Sequence, residues 1–474
     1  MTSTDPPFQR LDHLRTHFQK YNQAHIFDGI DALDADTLTS FLDQLDSIDL
    51  DELAGLLAGD GIEHTATDHD VQPAPFVRLG SEEALHHRAD GEALIRAGNV
   101  AAFTVAGGQG TRLGWHGPKG TFPATPIAKK PLFQVFAEQI KASGERYGVT
   151  IPWYVMTSPL NDTETKTFFH EHNFFGLDPE AISLFTQGVM PAVDQSGRLL
   201  LESPGQLAVS PDGHGGSLRA LLRSGAIADM KRRGVTTISY FQVDNPTVHA
   251  IDPVFLGLHV ASEGSSAEMS SKMVPKCSAE EKVGVFCQRG DGICVIEYSD
   301  LDPALAASTE DDGALCFLAG SIALHAIGVS FIEKLTSPTS AIRLPFHLAK
   351  KKVAYWDPTS RAHVDPTEPN GTKFEMFIFD ALAFAKQSIV LETDRVEEFA
   401  PIKNADGSDS AASSAALQIE RAARWIEAAG GSVPRTSEGV VDAVIEIQAS
   451  TALEAEDLSP ADIPEVASGS TVTL

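Results

Sequence analysis

The sequence predicts an α/β fold: a mixed, mainly parallel sheet with helices on both faces, joined to a helical N-terminal domain and a small C-terminal region. Three observations predict it. Short apolar runs alternate with amphipathic helical stretches between residues 96 and 403. The chain before them repeats apolar residues at helical spacing, and the chain after about Ser408 turns Ala-rich. Strand–helix alternation of this kind buries both faces of a parallel sheet, so its strands read as continuous apolar runs. The boundaries drawn on this basis are 1–95, 96–403 and 404–474.

Taken in order, Leu11, Leu14, Phe18 and Tyr21 fall at spacings of three and four, and Leu38, Phe41, Leu42 and Leu45 repeat the pattern after a cap expected at Asp36. Asp28 to Glu52 holds nine acids and no Lys or Arg, the pattern of a solvated face. Residues 64–80 read as a loop leading into the next unit. Val100–Val105, Trp153–Met156 and Thr237–Val243 read as buried strands, with Leu132–Ile140 and Ser217–Met230 as helices between them. Val283–Tyr298 carries Gly290-Asp291-Gly292 at its centre and reads as an antiparallel hairpin, with Cys287 facing Cys294. Ala314–Ile332 has no formal charge and the length of a bilayer span, yet its Gly, Ser and His content fits a buried strand running into a buried helix. Ala411–Ala429 is a helix, and 466–474 reads as a frayed tail.

A length of 474 residues exceeds one ordinary domain. The net charge is −29, from 36 Lys+Arg against 65 Asp+Glu, which excludes a general nucleic-acid or anionic-membrane binder. That charge is uneven. Residues 1–95 hold 5 basic and 19 acidic side chains, and 404–474 hold 3 and 12, so 96–403 is left at only −6 and can host an anion site. Four cysteines without CxxC spacing exclude a disulfide scaffold and argue against a zinc site. With no apolar leader after Met1–Pro7, a cytoplasmic location is expected; oligomeric state is left open.

Phe103–Ile140 is the most informative stretch: FTVAGGQGTRLGWHGPKGTFPATPIAKKPLFQVFAEQI. It opens as a strand, closes as a helix, and places Gly107, Gly108, Gly110, Gly114, Gly117 and Gly120 between them. Glycines let backbone N–H groups come close to phosphate oxygens. Arg112 and Lys119 add a bidentate cation and a point charge to the same loop. A P-loop is excluded because no GKS or GKT follows, and a dinucleotide loop because Gly114 follows Gly110 at the wrong interval.

GGQGTRLG followed by PKG resembles the signature of nucleotide-sugar pyrophosphorylases, and specifically the eukaryotic-type UDP-N-acetylhexosamine pyrophosphorylases of the UDP-glucose pyrophosphorylase superfamily. Further segments agree in order: FTQGVMPA with Gln187, PDGHGG from Pro211, VDN from Val243, VIEYSD with Glu297, KFEMFIFD from Lys373 and PIKNAD with Lys403. The resemblance spans roughly residues 20–425. It implies a Rossmann-like, GT-A-like nucleotidyltransferase fold with a sugar-binding lobe. The implied reaction is UTP plus sugar 1-phosphate giving UDP-N-acetylglucosamine, or a related UDP-N-acetylhexosamine, and pyrophosphate.

By the same resemblance Gly107, Gly108, Gly110, Gln187 and Gly213 bind the nucleotide, with Gln187 reading uracil. Arg112, Lys119 and Lys403 are the implied catalytic cations, and Asp244 the ligand of Mg²⁺ (or Mn²⁺). His214, Gly284, Glu297, Ser321, Phe377 and Phe379 are the implied sugar contacts. Taken singly, Asp244 also suits a turn cap, a lone Lys403 reads as a solvated lysine, and the i,i+2 pair Phe377/Phe379 equally suits one face of a core strand. The cluster Lys350–Lys352 reads as a solvated strand or loop end.

Two departures bear on substrate choice. His214 stands where the family's PDGNGG has Asn, and Ser321, Leu318 and Leu324 replace Asn in its NAGNIANH. A glucose, galactose or broad-specificity UDP-sugar pyrophosphorylase is therefore the alternative. A catalytically silent UDP-sugar-binding regulator is the alternative of another class, against which stands the retained set Arg112, Lys119, Asp244 and Lys403.

Overall fold

The computed structural model describes residues 7–62, 71–337, 339–340, 342–461 and 463–474. The chain packs into two compact units. One comprises 1–65, 187–219 and 343–380; the other comprises 66–186, 220–342 and 381–474. This division differs from the three-part boundaries above, because each unit gathers segments far apart in sequence.

The larger unit is built on a ten-stranded mixed sheet. Its strands are β1 (Val71–Pro73), β2 (Val100–Val105), β3 (Trp153–Thr157), β4 (Ile182–Thr186), β5 (Thr237–Gln242), β6 (Met269–Pro275), β7 (Val285–Arg289), β8 (Gly292–Ile296), β9 (Ala319–Gly328) and β10 (Val390–Glu392). The main order is β1-β7-β9-β5-β2-β3-β4. β4, β3, β2 and β5 are mutually parallel, and β9 joins β5 antiparallel. β6 pairs with β9 and β10, and β7–β8 is the expected hairpin, with Cys287 opposite Cys294. The parallel strands are apolar because both faces are covered; Phe103, Trp153, Tyr154 and Phe241 are fully buried. Helix Leu132–Tyr147 lays Phe133, Phe136 and Ile140 against this core.

The uncharged stretch 314–332 divides into β9 and the buried helix Val329–Thr336, as expected. No helix among the described residues is long and apolar enough to cross a membrane. Three local readings are corrected. Ser217–Met230 is two helices, Gly216–Arg223 and Ala226–Arg233, because Gly225 turns left-handed at φ +79°. Of 64–80, residues 64–70 lie outside the described residues, but Val71–Pro73 is a strand paired with Arg289–Cys287 rather than loop. The tail is not frayed: Thr471–Thr473 pairs in parallel with Val444–Glu446, whose Ile445 is fully buried.

In the smaller unit, Phe18, Phe27 and Phe41 stack edge-on among the N-terminal helices. Helix Ala35–Asp46 is capped by Asp34, which accepts from Thr37 N–H, so the cap lies two residues before Asp36. Eight of the nine acids between Asp28 and Glu52 are exposed, with Asp43 and Asp46 pairing Arg10. These helices hold the segment 187–219 directly: Gln23 Nε2 donates to Gly197 O at 2.8 Å, and His25 Nε2 lies 2.8 Å from Leu199 O. Lys350–Lys352 are exposed, as read from sequence, and of the two alternatives left open there they lie at a strand end.

Candidate active site

β2 and β5 run in parallel with Val105 opposite Gln242, so both carboxyl ends emerge at one sheet edge. Two residues beyond them come Gly107 and Asp244. Open α/β sheets place ligands at this edge, where successive strand ends deliver side chains side by side.

The glycine loop is a closed structure. Gly110 N–H donates to Gly117 O and Lys119 N–H to Gly108 O, each at 3.0 Å. Asn161 Nδ2 donates to the Ala106 and Gly108 carbonyls at 3.0 and 3.2 Å. These bonds use up carbonyls and leave donors: among the described residues no acceptor faces the N–H groups of Gly107 and Gly108. Adjacent unpaired donors make an anion-binding concavity. Lys119 Nζ lies 3.5 Å from Asp244 Oδ2, and both side chains are largely shielded from solvent. Arg112 is exposed on the short turn Thr111–Leu113 and forms no ion pair with a described residue.

Lys403 follows Ile402, whose N–H donates to Asp244 O at 2.8 Å. Its ammonium lies 3.4 Å from Asp409 and over the Phe399 ring. Lys119, Asp244 and Lys403 thus belong to neighbouring segments. In the β7–β9 region, Gly284 O accepts from Ser321 N–H at 2.7 Å. A side chain at 284 would meet Val295 at 2.8 Å and approach Glu297 Oε1 at 3.7 Å, so Gly284, Glu297 and Ser321 adjoin.

The smaller unit carries the remaining candidates. Gln187 is buried. Gly213 has φ +82°, and a Cβ there would sit 2.3 Å from Met376 O, so only glycine permits this approach. Gly215 N–H donates to Met376 O and Met376 N–H to Asp212 O, each at 2.8 Å. His214 Nδ1 accepts from Ile378 N–H at 3.1 Å, which leaves the proton of the neutral ring on Nε2. Burial first, and then the neighbouring His347, push His214 down to about 4. At neutral pH it is an uncharged Nε2–H donor.

Its ring centroid lies 5.4 Å from Phe377 and 5.7 Å from Phe379. Phe377 and Phe379 are not two positions of one strand face: the strand ends at Glu375 and Phe379 belongs to the turn Ile378–Phe384. They instead form an aromatic cluster with His214 and with His347, which lies 4.3 Å from Phe377 and is bonded to Asp380 at 2.8 Å.

Sequence reasoning missed His347, Asp380, Asn161 and a buried ion network of Lys272, Asp252 and Glu398. The only local signal for the last was a lysine inside the apolar strand MSSKMVP. Its partner Glu398 lies 126 residues away, beyond the reach of any spacing argument.

Unpaired backbone donors and a shielded lysine–aspartate pair at one carboxyl edge suit transfer of a charged nucleotidyl group, and a nucleotidyltransferase is the class these features define. The profile of the UTP–glucose-1-phosphate uridylyltransferase family matches residues 56–433, and the chain belongs to that family. It is 36% identical over 416 residues to a probable UDP-N-acetylglucosamine pyrophosphorylase of Schizosaccharomyces pombe, covering 83% of this chain and 86% of that one. It is 39% identical over 374 residues to the human UDP-N-acetylhexosamine pyrophosphorylase-like protein 1, covering 76% and 73%. The crystal structure of the Trypanosoma brucei UDP-N-acetylglucosamine pyrophosphorylase in complex with an inhibitor superimposes with a TM-score of 0.77 at 26% identity, over 97% of this chain and 94% of that one.

Proposed function

We propose that this protein is a UTP:sugar-1-phosphate uridylyltransferase that forms UDP-N-acetylglucosamine, or a related UDP-N-acetylhexosamine, and releases pyrophosphate. The observation that carries the reading is the Lys119–Asp244 pair at 3.5 Å beside the unpaired N–H groups of Gly107 and Gly108. In the reaction a sugar phosphate oxygen attacks the α-phosphorus of UTP in line, and the bond to the pyrophosphate oxygen breaks. Two anions must be brought together, so positioning and charge neutralisation supply most of the catalysis.

Gly107 and Gly108 present their open N–H groups to phosphate oxygens, and Gly110, whose N–H already donates to Gly117 O, shapes the nucleotide loop around them. Lys119 and Lys403 neutralise charge, and the exposed Arg112, which pairs with no described residue, grips the departing pyrophosphate. A single shielded carboxylate at a strand end fits Mg²⁺, or Mn²⁺, which takes one or two carboxylates and completes its shell with phosphate oxygens and water. Asp244 would hold that ion, which when bound supplies Lewis-acid charge at the triphosphate. Gln187 and Gly213 are assigned to uracil. His214, Gly284, Glu297, Ser321, Phe377 and Phe379 are assigned to the sugar. Four cysteines without CxxC spacing suit a reducing cytoplasm.

One observation favours a second reading. The neutral His214 imidazole, fixed by Ile378 N–H, offers one donor where an Asn amide would offer donor and acceptor. A hexose 1-phosphate such as glucose or galactose 1-phosphate is then the preferred acceptor. Pyrophosphate release from UTP and Mg²⁺ with a panel of sugar 1-phosphates tests both. Activity with the N-acetylated sugar supports the first reading. Activity confined to the plain hexoses supports the second, and none with any sugar refutes the transferase.

A further inference from the structure

A buried ion network in the larger unit is hydrogen-bonded to Asn245, the residue after the strand-end aspartate. Lys272, on β6, is 2% exposed, and so is Glu398. Lys272 Nζ lies 2.5 Å from Glu398 Oε2 and 2.5 Å from Asp252 Oδ2. Glu398 also accepts from Thr393 Oγ1 at 2.7 Å and from His249 N–H at 3.0 Å. His249, Asp252 and Glu398 come within 4.8 Å of one another, but the cation among them is the Lys272 ammonium, which leaves no role for a metal there. Burial alone would raise both carboxyl groups, but Lys272 outweighs it, holding Asp252 at about 2 and lowering Glu398, so the network is fully ionised at neutral pH.

From this network two segments run together toward the site. Glu398 O accepts from Asn245 Nδ2 at 2.6 Å, and Asn245 Oδ1 accepts from Ala400 N–H at 3.0 Å. One step further, Ile402 N–H donates to Asp244 O at 2.8 Å. The residue after Ile402 is Lys403, and the residue before Asn245 is Asp244. A buried ion network adds little stability over an apolar packing of the same volume, because desolvation offsets the attraction. What it does supply is direction, since each bond fixes an angle and a register that apolar contacts leave loose.

We infer that Lys272 and Glu398 are positioning residues of the transferase, holding Asp244 and Lys403 in register through the Asn245 clasp. The inference rests on the proposed reaction, and its test separates the two. Glu398→Gln keeps the shape and the Lys272–Asp252 pair. The triple variant Asp252→Asn/Lys272→Met/Glu398→Leu replaces the whole network by neutral groups and guards against loss of folding, and Lys272→Arg keeps the charge.

Wild type and variants are compared by urea unfolding, by kcat and KM for UTP, and by paramagnetic titration of Mn²⁺ in the presence of UTP. Expected are folded proteins in which both neutralising variants lose at least tenfold in kcat. Their KM for UTP stays within threefold, and Mn²⁺–UTP binding weakens about fivefold. Lys272→Arg should retain both properties within threefold. Neutralised variants that fold and keep kcat and Mn²⁺ binding within twofold of wild type would overturn the inference, as would losses matched only by the unfolded fraction. A wild type that binds Mn²⁺–UTP but turns over no sugar phosphate refutes the proposed reaction, while the Mn²⁺ titration still decides the positioning role. A wild type that binds no Mn²⁺–UTP overturns both.

Discussion

Gly120 is where the phosphate loop meets the core, and a methyl group added there tests how the loop is held. A Cβ at 120 would lie 2.2 Å from both Cε2 and Cζ of Phe133. Carbon atoms rest about 3.5–4.0 Å apart, so the ring must retreat by roughly 1.5 Å. It has nowhere to go: Phe133 is fully buried, with Phe169 at 5.0 Å and Trp153 at 6.4 Å between ring centroids. Overpacking of this kind costs about 1–3 kcal/mol, and Gly120→Ala should fall near the top of that range.

Lys119 shares the turn Lys119–Thr121, so a shift of about 1 Å there should lower turnover by roughly 10²-fold. Phe133→Leu alone removes ring atoms and should cost about 1–2 kcal/mol. In the double variant the vacated space admits the methyl. Its loss should fall short of the sum by about 1.5 kcal/mol or more, with part of the turnover recovered. Urea midpoints and pyrophosphate release on the four proteins complete the cycle. Additive losses, or a Gly120→Ala protein as stable and active as wild type, would refute the idea that Phe133 sets the loop.

Three further outcomes are expected. Asp244→Asn should abolish metal-dependent turnover while leaving the urea midpoint nearly unchanged; wild-type turnover would remove Asp244 from the site. His214→Asn should raise kcat/KM for N-acetylglucosamine 1-phosphate relative to glucose 1-phosphate by tenfold or more, measured as competing rates, and an unchanged ratio would free His214 of a role in specificity. His259 is fully buried, with Nδ1 3.0 Å from Ser270 Oγ, and burial lowers it to about 4. The unfolded chain takes up this proton below about pH 6.5 and the folded chain only near 4, so the contribution is intact above 6.5 and lost as pH falls toward 4. By pH 5 the loss is about 2 kcal/mol, and His259→Leu should lose that much less than wild type between pH 7.5 and 5. Equal losses in the two proteins would contradict it.

Much of the larger unit was legible because its signals are local. The run Val100–Val105 is a strand to the residue, since a strand buried on both faces must be apolar throughout. The hairpin at Gly290-Asp291-Gly292 was legible because turn chemistry fixes its register. The phosphate loop could be read because positive backbone angles and close approach demand glycine. Errors fell where local signals compete. The expected cap at Asp36 lost to Asp34, since both are good cap residues two positions apart and only the helix packing chooses. The tail 466–474 looked unstructured because a three-residue strand gains its order from its partner, Val444–Glu446, and not from its own composition.

The sequence by itself determined the chemistry: a glycine loop with Arg112 and Lys119, an aspartate at a strand end, and Lys403 in a motif that matches a family. It also determined that the excess acid lies toward the chain's ends, away from the segment that holds these residues. Only the tertiary structure decided which groups meet. It set Lys119 against Asp244, tied Asp244 to Ile402, fixed the His214 tautomer through Ile378, and buried Lys272 between two carboxylates. The physical reason is range. Turn geometry and hydrophobic period act over a few residues and are written in order along the chain. Ion pairs and hydrogen bonds act over about 3 Å of space, while partners such as His214 and Ile378 lie 164 residues apart along the chain.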